Sequence, residues 1–212
     1  MPADPQLLQT VVLASLLAWA SGLRLYFLIF CLGMAGNFGY IDLPAGLQVL
    51  RHPWVIGAAG VLLAMEFFVD KVPGIDSAWD ALHTLIRIPA GALLAAGATG
   101  DTLSALTVAA GLLGGTITAG THLAKAGGRA IINASPEPFS NWGASFTEDA
   151  AVAAGIWLAF WYPIAFLATL AVFLALVIWL LPKLWRGAIA MWRLLRAQTM
   201  IDRPIRGEDS SP

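Results

Sequence analysis

Charge is scarce in this sequence: only 12% of its 212 residues are Asp, Glu, Lys or Arg. Soluble domains carry about 25%. Hydrophobic residues make up 58% of the chain. The two values together exclude an ordinary soluble domain and favour a membrane protein, in which apolar helices of about 20 residues cross the bilayer.

Cysteine and catalytic signatures are also lacking. The single Cys31 excludes an internal disulfide, and its apolar surroundings suggest a packing role. The patterns G-x-S-x-G, H-E-x-x-H and the P-loop are absent from the sequence, so the best-defined signals of hydrolases, zinc proteases and nucleotide-binding enzymes are missing. No basic stretch precedes the first apolar run, so we expect that run to be retained as a membrane span.

The apolar segments that are present predict an all-α, polytopic membrane protein with about six transmembrane helices. The fifth helix is expected either to span or to form a short, re-entrant segment, because Pro163 divides an uncharged stretch too long for one span. Its start is predicted at a capping box formed by Ser145 and Glu148. The predicted helices cover about 7–35, 53–71, 76–98, 103–123, 148–161 and 163–182.

Three regions follow from this division. Residues 1–182 form a single transmembrane domain, 183–199 a basic amphipathic helix lying at the membrane surface, and 200–212 a disordered polar tail. Six of the twelve Lys and Arg residues follow Pro182. Cytoplasmic segments are enriched in such residues, which places both termini on the cytoplasmic side.

The expected partner of this surface is the lipid bilayer. Trp and Leu alternate with the basic residues of 183–199, as at an anionic membrane leaflet, so nucleic acid is not an expected partner. The small residues of the fourth helix suit either homo-oligomerisation or close packing within one chain.

The segment from Glu66 to Arg87 concentrates charge between two apolar helices. Charged groups inside a membrane are costly and therefore mark candidate functional positions. Four residues of the third helix are spaced 4, 3 and 4 apart, which places them on one helical face. The candidates in the segment are Glu66, Asp70, Asp76, Asp80, His83 and Arg87.

Other polar residues extend the candidate set. Arg24 lies well inside the first span, where it either pairs with an acid of another helix or binds a ligand. His122 and Arg129 share one face of the fourth helix with Lys125, which we assign to the cytoplasmic side. Glu148 and Asp149 are also candidates, although a helix N-terminus alone would explain two acids there.

These residues carry a resemblance to a known family. The stretches E-F-F-V-D-K-V-P, D-S-A-W-D-A-L-H-T-L-I-R-I-P-A-G-A and S-P-E-P-F-S-N-W, with E-D nearby, resemble the bacterial integral membrane proteins catalogued as domain of unknown function 4126. The resemblance covers about residues 10–185 and implies a multi-pass protein of the bacterial inner membrane. It assigns no role to any residue.

Three functions compete for the polar residues. The first is transport of a small solute or ion through a carboxylate–histidine–arginine site, since histidine changes charge near neutral pH. The second is a structural or assembly role, in which buried ion pairs fix the register of the helices. The third is a metal-dependent enzyme acting on a lipid-linked substrate, with Asp76, Asp80 and His83 as its metal ligands.

We favour transport first and the structural role second. The spacing of Asp76, Asp80 and His83 is not one of the strong zinc spacings, so we predict neither a metal site nor a cofactor. The expected ligand is a small solute, an ion or a lipid head group.

Overall fold

A computed structural model of the chain describes residues 4–72, 74–100, 104–133 and 138–201. These residues form six α-helices and one 3₁₀ helix, and contain no strand, which confirms the all-α prediction for the described part. The elements are α1 (Pro5–Asn37), a 3₁₀ helix (Ala45–Arg51), α2 (Pro53–Val69), α3 (Ile75–Gly97), α4 (Ala105–Ile132), α5 (Pro138–Trp161) and α6 (Pro163–Ile201).

Helix α1 lies at the centre of the bundle. It contacts α2, α3, α4, α5 and α6, and its Leu16, Leu17 and Leu28 are fully buried. The helix is broken at Arg24, whose φ of −142° and ψ of 70° are not helical. The break divides α1 into residues 5–23 and 25–37, and the sequence analysis did not predict it.

Small residues bring α1, α3 and α4 close together. A Cβ atom placed on Gly22 would lie 2.6 Å from Thr121 Cβ and 2.7 Å from the Thr118 carbonyl oxygen. Gly91 of α3 likewise faces Thr118, so the backbones of three helices meet around one threonine. In a membrane, lipid is as apolar as the helices, so the hydrophobic effect does not drive helices together. They associate through close packing at small residues instead.

Within the part of the chain that the structure describes, three helical segments are long and apolar enough to cross a membrane: Pro5–Asn37, Ala105–Ile132 and Pro163–Leu180. A fourth span results if the 3₁₀ helix and α2, bent by 68° at their junction, count as one. Helices α3 and α5 are not among them, because their charged residues lower their mean hydropathy. By length and composition alone, the described helices therefore provide three or four spans, fewer than the six predicted.

Several predicted boundaries were wrong. Helix α5 begins at Pro138, so Ser145 and Glu148 lie inside a helix and form no capping box. Proline is well tolerated in a first helical turn, and the polar residues that resembled a loop bind other helices instead. Helix α4 extends to Ile132, and the helix that begins at Pro163 extends past Pro182 to Ile201. The division of the chain into three regions stays a prediction.

Some predictions lie outside the described residues or are not tested within them. The tail from residue 202 onward is not described, and neither are Pro73, Pro136 and Glu137. That residues 183–199 lie on the membrane surface stays a prediction.

The bundle has two ends with different chemistry. One end is marked by a cavity of about 420 Å³ lined by Gln6, Asp42, Ala98 and Pro163. Asp80 lies 18 residues before Ala98 on α3, which corresponds to about 27 Å of helix. The charged residues of the sequence analysis therefore lie at the other end, where α2 finishes and α3 begins.

Candidate functional site

Ten charged side chains from five helices and the α2–α3 turn meet at this end of the bundle. Each of them lies within 4.0 Å of at least one group of opposite charge. We call these ten residues the charge network: the cations Arg24, Arg87, Lys125 and Arg129, and the carboxylates Glu66, Asp70, Asp76, Asp80, Glu148 and Asp149.

Arg24 joins α1 to the α2–α3 turn and to α5. Its Nη1 pairs with Asp70, and its Nε lies 2.9 Å from Asp149 Oδ1. Its Nη2 lies 3.3 Å from Glu148 Oε2 and donates to Ser145 through both the hydroxyl, at 2.7 Å, and the carbonyl. Arg24, the residue at which α1 is broken, thus forms the expected pairing with acids of other elements.

The break in α1 leaves backbone carbonyls that need donors. Arg87 Nη1 donates to the Leu23 carbonyl oxygen at 3.0 Å, and Lys125 Nζ donates to the same oxygen at 3.1 Å. Cations are favoured at a helix C-terminus, where unpaired carbonyls give a partial negative charge. The two cations therefore cap the first segment of α1 inside the bundle.

Lys125 occupies the middle of the network. Its Nζ lies 3.5 Å from Glu66, 3.7 Å from Asp70, 3.5 Å from Asp80 and 3.3 Å from Glu148. Only 6% of Lys125 is exposed. One ammonium group thus faces carboxylates from α2, the following turn, α3 and α5.

Asp70 lies in the turn between α2 and α3 and is fully buried. Burial acts to raise the pKa of its carboxyl, but Lys125 and Arg24 outweigh that effect and hold the pKa below its usual value. Asp70 is therefore ionised at neutral pH.

The innermost pair is formed by Arg87 and Glu66. Arg87 Nη2 is paired with Glu66 Oε1, and both side chains are fully buried. Asp80 lies beside them, with its Oδ1 3.6 Å from Arg87 Nη2. Breaking such a pair by removing one partner is strongly destabilising, because it leaves a buried charge without compensation.

At the rim of the network, Arg129 and Asp76 meet neutral polar groups. Arg129 Nη1 donates to carbonyl oxygens of Asp70 and Asn141, and its Nη2 lies 3.1 Å from Glu148 Oε1. Asp76 accepts hydrogen bonds from Asn133 Nδ2 and from the backbone N–H groups of Gly74 and Ser77. Asp76 therefore still stabilises the start of α3, although the helix begins one residue before it.

The two candidate histidines lie beside the ion pairs. His83 is stacked on Trp79 with 4.0 Å between ring centroids, and its Nδ1 lies 2.9 Å from the Trp79 carbonyl oxygen. His122 Nε2 lies 2.7 Å from Thr84 Oγ1 and 3.2 Å from the Asp80 carbonyl oxygen. Both rings are buried, and neither forms an ion pair with a carboxylate among the described residues.

Burial divides the six carboxylates into two groups. Glu66, Asp70, Asp76 and Asp80 are at most 1% exposed and are matched in number by the four cations. Glu148 and Asp149 of α5 are 14% and 26% exposed. The fully buried charges therefore balance, and the two surplus carboxylates lie at the accessible side.

Of the four fully buried carboxylates, Asp80 has the fewest hydrogen bonds among the described residues. Neither of its side-chain oxygens accepts one from the described residues. Its nearest cations, Lys125 and Arg87, lie 3.5 and 3.6 Å away, farther than a charge-assisted hydrogen bond requires. A buried carboxylate in this state is poorly stabilised in its charged form.

A cavity of about 330 Å³ opens onto the network between α4, α5 and α6. Lys125, Arg129 and Glu148 form its polar wall, and Leu23 and Phe173 belong to its apolar wall. We call it the network cavity. It gives the charged groups a route to the surface of the bundle.

The metal hypothesis gains no support from this arrangement. Within the described ranges, no three His, Cys, Asp or Glu side chains are grouped so that they would hold a metal ion. Asp76 is engaged by Asn133, Asp80 faces cations, and His83 stacks on Trp79.

Nine of the eleven candidate residues belong to the network, and the two histidines flank it. Whether they bind a ligand stays a prediction. Lys125 was not a candidate, although its position three residues after His122 and four before Arg129 gave the signal. Ser145 was assigned to a helix cap, and Asn141 lies before the predicted start of the fifth helix, so neither was a candidate.

The resemblance stated from the motifs is confirmed. The chain belongs to the family described as domain of unknown function (DUF4126), whose model matches residues 11–183. No curated protein and no solved structure matches the chain.

Proposed function

We propose that this protein is an integral membrane protein that moves a small solute or ion, and that the charge network is its binding and coupling site. The observation that carries the proposal is the network itself, ten charged groups from five helices beside an open cavity. Charged groups inside a membrane are expensive, and they mark ion and substrate pathways.

The broken helix α1 supports the same function. Its carbonyl groups at the break face Arg87 and Lys125, next to the carboxylates of the network. Transporters commonly build their sites from discontinuous helices whose ends face charged ligands or ions. Non-helical backbone is tolerated at membrane depth where protein groups satisfy it.

Exposed aromatic residues suggest where the membrane surfaces lie. Tyr40, Trp54 and Trp161 are exposed at the end opposite the network, and Trp142 and Trp179 at the network end. Trp and Tyr are enriched at both membrane interfaces. We therefore propose six helices in the bilayer, with α3 and α5 included because their charges face the bundle interior.

We place the network end at the cytoplasmic face of a bacterial inner membrane, since Lys71, Lys183 and Arg186 lie toward it. Gln6 lies with Asp42 at the opposite end. Asp42, just after α1, lines the same cavity as Gln6, so we propose that the two segments of α1 enter and leave at that end, and that only the end of α6, and not both termini as expected from the sequence, is cytoplasmic.

The test is transport by the purified protein in vesicles of phosphatidylethanolamine and phosphatidylglycerol, loaded with dyes for H⁺, Na⁺ and K⁺. Metabolite uptake is compared in parallel between cells that lack the protein and cells that carry it. The key variant is Asp80→Asn, which keeps the shape of the side chain. We expect it to insert and remain folded but to lose transport.

Asp42→Asn is the matched control, because this carboxylate is exposed and lies at the other end of the bundle. We expect it to transport like the wild type. Full transport by Asp80→Asn would remove the network from the mechanism.

A structural role is the second candidate, and one observation favours it. Every charged side chain of the network has an opposite charge within 4.0 Å, so the network also works as a set of links between helices. Buried ion pairs can fix helix register without chemistry. The structural role predicts that Asp80→Asn lowers stability and leaves cells otherwise normal.

A further inference from the structure

Lys125 has more acceptors around it than it can serve. An ammonium group has three N–H donors, whereas five oxygen acceptors surround this one. They are the Leu23 carbonyl and one oxygen each from Glu66, Asp70, Asp80 and Glu148, at 3.1 to 3.7 Å. At any moment at least two of these acceptors lack a bond from Lys125.

Lys125 also separates an outer carboxylate from an inner one. Glu148 lines the network cavity together with Lys125 and is 14% exposed. Asp80 does not line the cavity, is 1% exposed, and accepts no hydrogen bond at either oxygen from the described residues. The Lys125 Nζ lies 3.3 Å from Glu148 Oε2 and 3.5 Å from Asp80 Oδ1.

We propose that the ion handled by the network is the proton, which enters through the network cavity and passes from Glu148 through Lys125 to Asp80. The inference rests on the proposed transport function and names its ion. Hydronium in the cavity gives a proton to Glu148 and leaves water. Lys125 then gives one proton to Asp80 and regains one from Glu148, so that the ammonium group is restored and the net transfer is from Glu148 to Asp80.

A proton fits this site better than a metal cation. Every carboxylate of the network already lies within 4.0 Å of Arg or Lys, so a metal ion would have to displace a cation. A proton adds to one free carboxylate oxygen and displaces nothing. Asp80 offers two such oxygens, and a neutral carboxyl in that place supplies an O–H donor that the charged form lacks.

Charged and titratable groups from α1 to α5 and from the α2–α3 turn surround Lys125. These set the pH at which the relay works, and a change at any one of them moves that pH. The charged and titratable groups are Arg24 on α1, Glu66 on α2, Asp70 in the turn, Asp80 and Arg87 on α3, His122 and Arg129 on α4, and Glu148 and Asp149 on α5.

The decisive variant is Lys125→Arg. Arginine keeps the positive charge and the ion pairs, but it does not give up its proton in a protein. A purely structural lysine would therefore be replaced by arginine without loss of transport. If the lysine relays protons, replacing it with arginine would largely abolish transport.

The measurement is dye-reported proton influx into vesicles of phosphatidylethanolamine and phosphatidylglycerol, driven by a potassium diffusion potential. We expect wild-type protein to admit protons faster than empty vesicles. Lys125→Arg should lower that flux about 100-fold, the scale of a lost acid–base group, while its melting temperature stays close to that of the wild type.

A second variant tests the cavity without touching a charge. Gly128 lines the network cavity, and a Cβ placed on it meets nothing within 4 Å, so Gly128→Leu adds a side chain at the cavity wall whose first carbon has room. Gly143 is equally open, lies at the same end of the bundle and does not line the cavity. We expect Gly128→Leu to slow proton flux severalfold and Gly143→Leu to leave it unchanged.

The results separate this inference from the proposed function. Flux of Na⁺, K⁺ or a solute without proton flux would overturn the proton inference and leave transport standing. Undiminished proton flux in folded Lys125→Arg would overturn the relay. No flux of any ion or solute with wild-type protein would overturn both.

Discussion

Arg24 is the residue whose loss tests the network most directly. It is 1% exposed and pairs with carboxylates of α2, the α2–α3 turn and α5. Removing one partner of a buried ion pair costs about 3–5 kcal/mol. Because Lys125 and Arg129 still lie 3.7 and 3.5 Å from Asp70, we expect Arg24→Met to cost about 3 kcal/mol, the lower end of that range.

For a chain of this length, each kcal/mol shifts the melting temperature by about 2–4 °C. Arg24→Met should therefore melt roughly 6–12 °C below the wild type. The measurement is thermal unfolding in detergent, followed by size-exclusion chromatography of the soluble fraction. The double variant Arg24→Met with Asp70→Leu should recover part of the loss, because it no longer leaves that carboxylate without its arginine.

Arg51→Met is the control, since Arg51 is only half-buried and its side chain bonds only to Gln48 among the described residues. It should change stability by no more than about 0.5 kcal/mol. If Arg24→Met has the same melting temperature as Arg51→Met, the contacts of Arg24 do not hold the helices together. Both the structural role and the coupling site would then lose their basis.

Two further predictions follow from the same geometry. Gly22→Val should prevent folding, because its Cβ would lie 2.6 Å from Thr121 Cβ in α4; Gly128→Ala, which meets nothing within 4 Å, is the control, and equal yields of folded protein would contradict the close packing. The pKa of Asp70 is lowered from 3.8 in the folded protein, so its stabilisation is complete above that value and is lost as the pH falls through the folded pKa. Asp70→Asn should flatten the acid limb of a melting-temperature profile, and an unchanged limb would show that Asp70 is not the cause.

The periodic part of the site was predictable from the sequence. Asp80 and Arg87 are seven residues apart, so they share a helical face whatever that face meets. Their partners were not predictable, because Glu66 and Lys125 approach them from other helices. Lys125 looked like a residue for the cytoplasmic surface, since a lysine near the end of a span usually extends to the interface.

The only local signal for the break at Arg24 is the Ser21-Gly22 pair before it, a kind of pair found at helix kinks. Proline is the common cause of a kink, and none lies near this position in the sequence. The structure supplies the reason from outside the helix: Gly22 admits α4, and Arg87 and Lys125 satisfy the freed carbonyl of Leu23. The early start of α5 was missed for a related reason. Asn141 and Ser145 accept hydrogen bonds from Arg129 and Arg24, which belong to other helices, and do not cap a helix of their own.

The charges of α3 also govern how the chain enters the membrane during synthesis. An ionised residue at the centre of a helix opposes insertion by about 2.5–3.5 kcal/mol, and Arg87 lies at the middle of α3, with Asp80 about two turns before it. Their counter-charges arrive at different times, with Glu66 made before them and Lys125 about forty residues after. On the proposed arrangement of six helices in the bilayer, α3 therefore enters the lipid as part of a group with α2 and α4, so that these helices are inserted together and not one at a time.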